Sequence, residues 1–101
     1  MKTIKQMNIE KLILCFNRIK QQNPNPNLDF DSYLDSLIQS LPSTIQLMDI
    51  QFSYMDSICC WNFYIKTDDP NLIDQWLYDD SNTVHIIQIY KNLYQASIFA
   101  Y

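Results

Sequence analysis

The spacing of apolar residues changes at Pro42, and that change does most to limit what this chain can fold into. Before the proline they recur every three or four positions, the period of a helix; after it they mostly alternate, the period of a strand. Ile9, Leu12, Ile13, Phe16 and Ile19 form one helical stripe. Thr3 with Gln6 offers a capping box for its start, and Asn8 a later cap. Asn23-Pro24-Asn25-Pro26-Asn27 ends it, because two prolines favour extended backbone. A second helix is predicted over 29–41, with Phe30, Leu34, Leu37, Ile38 and Leu41 on one face, before Pro42 stops it.

Residues 44–54 then read as a strand. Ile45 and Leu47 alternate, the phase slips at Met48, and Ile50, Phe52 and Tyr54 resume it, which predicts a bulge or twist. A second strand covers 57–66, with Cys59, Trp61, Phe63 and Ile65 on one face. Asp68-Asp69-Pro70 opens a short helix with a carboxylate cap and a proline in its first turn. Leu72, Ile73, Trp76 and Leu77 are its buried stripe. The β-branched run 83–90 is strand-like, and Lys91-Asn92 turns the chain into a last strand over 93–101, for which helix is the alternative.

The fold expected is α+β: two N-terminal helices, then a mainly antiparallel four-stranded sheet with a further helix between the strand pairs, helices lying over one face. At an offset of 39, Asp29, Asp35, Thr44 and Ile50 fall on Asp68, Asp74, Thr83 and Ile89, a pattern that suggests an αββ–αββ pseudo-repeat. A length of 101 residues suits one domain. Within it, 1–28 form a basic helix and Asn/Pro linker, and 29–101 two acidic, repeat-like halves.

Charge divides along the same line. Residues 1–28 carry Lys2, Lys5, Lys11, Arg18 and Lys20 against Glu10 alone, whereas 29–80 carry ten Asp against Lys66. The formal net of −4 hides this division. Such a surface suits a basic partner and repels nucleic acid. Helix N-termini explain Asp29, Asp31, Asp68 and Asp69 without any partner. Asp35, one turn beyond Asp31, pays about 0.2–0.5 kcal/mol in like-charge repulsion. Asp79 and Asp80 close a predicted helix, where the macrodipole disfavours each by roughly 0.3–1 kcal/mol. Carboxylates kept against local preference are candidates for function.

Several chemistries are poorly supported. Without a single glycine the chain cannot build a phosphate-cradling loop, and its turns fall to Asn, Asp and Pro. His85, the only histidine, has no nucleophile in its sequence neighbourhood and reads as a structural or surface residue. Adjacent Cys59 and Cys60 point to opposite faces of a strand and do not converge on a metal. Asp29, Asp31 and Asp35 lack the glycine and terminal glutamate of a calcium loop. An odd count of cysteines with an adjacent pair argues against a disulfide framework, and with an apolar run, Leu12 to Phe16, too short for a signal peptide it points to a reducing cytoplasm.

The expectation is therefore a non-enzymatic binding protein, without cofactor, metal, membrane or direct nucleic-acid contact. Its leading form is a small acidic inhibitor that blocks a nucleic-acid-acting enzyme: a toxin immunity protein, or a phage-encoded anti-defence or anti-CRISPR inhibitor. The partner would be a basic protein such as a nuclease, toxin or defence complex. Asp31, Asp35, Asp74, Tyr78, Asp79 and Asp80 are the expected contact residues, with Tyr33 and Trp76 as further aromatic anchors. The alternative is a small structural or adaptor domain that self-associates through its aromatic strands, as in a homodimer. The final Ile98-Phe99-Ala100-Tyr101 would then be the exposed edge.

Overall fold

The computed structural model describes residues 1–25, 28–78 and 83–100, and every predicted element forms within them. The order is α1 (Ile4–Gln22), α2 (Phe30–Gln39), β1 (Gln46–Met55), β2 (Ile58–Lys66), α3 (Asn71–Leu77), β3 (Thr83–Tyr90) and β4 (Leu93–Ala100). The four strands make one antiparallel sheet in the order β1-β2-β4-β3. The last segment is strand, and it lies inside the sheet, between β2 and β3. The free edges are therefore β1 and β3; 98–100, expected at an edge, lie inside the sheet, and Tyr101 lies outside the described residues.

Local chemistry sets the element ends. Thr3 and Gln6 complete the capping box of α1, each side chain bonding the other's backbone N–H. At the far end Asn23 sends both its backbone N–H and its side-chain amide to the Ile19 carbonyl, at 2.9 and 3.0 Å. Asp29 caps α2, accepting the Ser32 N–H at 3.1 Å. The cap of α3 differs from expectation: Pro70 holds that position, and Asp69 accepts the Asn71 N–H at 3.0 Å one residue earlier. The β1–β2 turn places Asp56 and Ser57 at φ of 52° and 68°, the left-handed pair that a two-residue hairpin requires. Glycine would take both positions without strain, and this chain has none.

All three helices pack on one face of the sheet. Trp61 of β2 is the hub, with ring centroids of Phe52 at 4.5 Å, Tyr33 at 5.0 Å, Phe16 at 5.1 Å and Phe30 at 5.8 Å. Helices α1 and α2 thus meet the sheet over one aromatic cluster. Trp76 of α3 is buried against Phe63, and its indole N–H donates to the Leu37 carbonyl at 3.0 Å, tying α3 to α2. Replacing Trp61 by alanine would remove the centre of this core, a loss of about 3–5 kcal/mol.

The predicted slip in β1 is a bulge: Leu47 stands opposite Ile65 but Asp49 opposite Tyr64, so Met48 is the extra residue. After α1 the elements run αββ–αββ as expected. The matched residues Thr44 and Thr83 nonetheless stand differently, since Thr83 opens β3 whereas Thr44 lies two residues before β1, which has ten residues to the eight of β3.

The buried stripe of α1 also differs from expectation. Ile13 is 41 % exposed, and Asn8 and Cys15 are buried with Leu12, Phe16 and Ile19. The cause is that α1 lies along the outer edge of β1. Asn8 is no cap: its amide donates to the Ile45 carbonyl and its carbonyl oxygen accepts the Leu47 N–H, both at 2.9 Å. A side chain here takes the place of a neighbouring strand. Arg18, one helical face further on, donates to the Ile50 carbonyl.

Two stability changes are expected. Asn8→Ala strands two buried backbone groups and should lower the unfolding free energy by about 2–4 kcal/mol. Urea unfolding followed by tryptophan fluorescence checks it, with exposed Asn17→Ala on the same helix staying within about 0.5 kcal/mol of wild type. Ser57→Gly should raise stability by about 0.5–1 kcal/mol, because relief of the left-handed backbone exceeds the added freedom of the unfolded chain.

Candidate functional site

Of the predicted contact residues that are described, only Tyr78 lines the groove where α2 and α3 meet; Asp31, Asp35 and Asp74 do not. Trp76 locks the two helices through Leu37, and between them lies a groove of about 410 Å³ lined by Tyr33, Ser36, Ser40, Trp76, Leu77 and Tyr78. Asp31 and Asp35 are exposed on α2, Asp74 is exposed on α3, and Tyr78 is exposed at the end of α3. The Tyr78 backbone N–H bonds the Asp74 carbonyl at 2.9 Å, which holds the ring at the helix terminus. Asp79 and Asp80 lie outside the described residues.

The carboxylates are not equivalent. Asp31 is paired with Lys20 of α1 at 2.9 Å, and Asp49 with Arg18 at 3.4 Å, so part of the acidic half is matched by the basic helix. Both pairs are solvent-accessible and worth at most about 1 kcal/mol each. Asp35 and Asp74 form no ion pair among the described residues. Asp29, at the start of α2, receives hydrogen bonds from the Ser32 hydroxyl and backbone N–H, which hold its carboxyl below the ordinary 3.8.

The aromatic anchors divide. Tyr78 is exposed, whereas Trp76 is buried and Tyr33, half-buried in the groove wall, packs against Phe16 and Trp61. Trp76 cannot leave the core to meet a partner. Sequence periodicity had placed Trp76 in the buried stripe of α3, and that placement holds over its use as an anchor.

The other candidate chemistries are dispersed. His85 sits on the sheet face that no helix covers, exposed and edge-to-face with Phe99 at 6.1 Å. Its cross-strand neighbour Ser97 donates its hydroxyl to Asn62 at 2.7 Å, so the histidine does not activate it. Cys59 and Cys60 take opposite faces of β2, and all three cysteines are free thiols. Burial pushes the Cys15 and Cys59 thiols above their ordinary 9.0, away from the nucleophilic thiolate. Among the described residues no three His, Cys, Asp or Glu side chains are grouped so as to hold a metal ion. No helix among them is long and apolar enough to cross a membrane.

A second surface was missed by the sequence reading. Ile87, Ile89 and Tyr90 of β3 are exposed, a row of large apolar side chains on an edge strand. The signal was present: 83–90 contain no charged residue, and isoleucine stands where alternation calls for polar side chains.

No protein family, curated protein or solved structure matches the chain.

The Asp29 cap gives a pH signature. Its lowered pKa means that the carboxylate stabilises the fold above the ordinary value, and that this contribution is lost as pH falls through the lowered one. The melting-temperature gap between wild type and Asp29→Ala should thus stay constant from pH 7 to about pH 5 and close below 3.8.

Proposed function

We propose that the protein is a small acidic inhibitor that binds a nucleic-acid-acting enzyme and occupies its basic cleft. It would serve as a toxin immunity protein, or as a phage-encoded anti-defence or anti-CRISPR inhibitor. One observation carries the reading: the Trp76–Leu37 hydrogen bond sets two Asp-bearing helices side by side, with Asp35 and Asp74 exposed and unmatched by any described cation. Clefts that hold nucleic acid are lined by Lys and Arg, and carboxylates fixed on a rigid helical layer can replace phosphates there. Asp79 and Asp80 extend the acidic sequence beyond Tyr78. Tyr78 supplies an aromatic contact at its border.

Such a protein acts by occupation, with no cofactor and no chemistry of its own. Free cysteines fit a reducing cytoplasm. Because Asp31 is matched by Lys20, the interaction centres on Asp35 and Asp74 and not on the start of α2.

The test is affinity capture from the source cell or its host, at low and at high salt. Wild type should retain a nuclease, toxin or defence complex, and adding the protein should suppress that enzyme's cleavage of nucleic acid. The combined variant Asp35→Asn, Asp74→Asn, Asp79→Asn, Asp80→Asn should slow association about tenfold or more at low salt, with little effect at high salt. Capture that ignores both salt and the four substitutions would overturn the reading.

A further inference from the structure

The two edges of the sheet are finished differently. At β1, α1 takes up the Ile45 carbonyl and Leu47 N–H through Asn8 and the Ile50 carbonyl through Arg18. At β3, among the described residues, no side chain from outside the strand hydrogen-bonds to the backbone. Ile87, Ile89 and Tyr90 are 58 %, 48 % and 68 % exposed there. Edges are normally protected by charge, proline, a bulge or a covering segment. Here 83–90 hold no charged residue and no proline, and the one bulge falls between Gln88 and Tyr90. The ladder from Thr83 to Gln88 is regular.

We propose that β3 is a dimerisation edge, on which a second copy of this chain pairs its own β3 antiparallel about a twofold axis at Ile86. Charge selects this occupant. The chain is net negative, with its carboxylates concentrated elsewhere, so a basic partner finds nothing to grip on this strand. An uncharged strand meets its own copy without repulsion. Register agrees: with Ile86 on the axis, Val84 lies opposite Gln88 of the second copy and His85 opposite its Ile87. Each such pair shares a face, as antiparallel pairing demands, and the bulge stays outside the joint.

Closure follows as well. Once the two β3 strands are paired, the edges left in the sheet are the two β1 strands, whose first half α1 takes up at Ile45, Leu47 and Ile50. The assembly therefore stops at an eight-stranded dimer and does not propagate into a fibre. The joint does not depend on the inhibitor reading.

The experiment is sedimentation equilibrium on the full chain across a concentration series. Wild type should reach twice 12.1 kDa and no more. Ile87→Lys should weaken the dimer about tenfold or more, whereas Met55→Lys, an equally apolar exposed site at the β1–β2 turn, should remain dimeric. Ile86→Cys provides a gain of signal. Residues directly opposed across a ladder are about 4.5–5.5 Å apart at Cα, within disulfide reach, so mild oxidation should give more covalent dimer than wild type shows. A wild type that stays at 12.1 kDa, growth beyond two copies, a dimer indifferent to Ile87→Lys, or no excess cross-linking from Ile86→Cys would each overturn the proposal.

Discussion

The carboxamide of Asn8 decides what the β1 edge of the sheet becomes. Buried within α1, it presents one donor and one acceptor to β1 in the arrangement a neighbouring strand would use. That contact fixes α1 along the edge, and α1 in turn brings Phe16 onto Trp61. It also puts Arg18 beside Asp49 and Lys20 beside Asp31. Without it, β1 would be a second open edge and the basic helix would have no fixed place over the acidic half. Breaking it costs more than one hydrogen bond, because both backbone groups are left in a dry site.

From this arrangement two candidate surfaces result, and they differ in character. The α2–α3 side is polar, with exposed carboxylates and a groove. The β3 side is uncharged and apolar. The first suits a salt-sensitive encounter with a basic cleft, the second a permanent joint with a like strand. A dimer would carry two acidic faces, and a partner with two accessible sites would then be held by both at once. Among the described residues His85 stands beside Phe99, and the Ser97 hydroxyl donates to Asn62.

Most of the fold was legible because apolar period reports secondary structure directly. The slip at Met48 announced the bulge, Thr3 and Gln6 the first cap, and the 83–90 run its strand. What stayed hidden was tertiary. Strand order cannot be read from periodicity, so the last strand was assigned to the edge when β4 in fact lies inside the sheet. Asn8 looked like a cap because asparagine favours that role, and only the nearness of β1 gives it another. Asp69 misled by one position, since Pro70 itself takes the cap of α3. Of the candidate site, the exposure of Asp35, Asp74 and Tyr78 followed from the helical pattern. So did the burial of Trp76, which its place in the apolar stripe of α3 announced; the loss of Asp31 to Lys20 did not, because it depends on where α1 comes to rest.

Amide hydrogen exchange on the dilute, monomeric protein tests the asymmetry of the two edges most directly. With α1 acting as a surrogate strand, the Leu47 N–H should exchange as slowly as the amides of β2 and β4, while the outward amides of 84–88 exchange far faster. If Leu47 instead exchanged as fast as the outward amides of β3, α1 would not close that edge, and the division of the molecule into one sealed and one open side would fail.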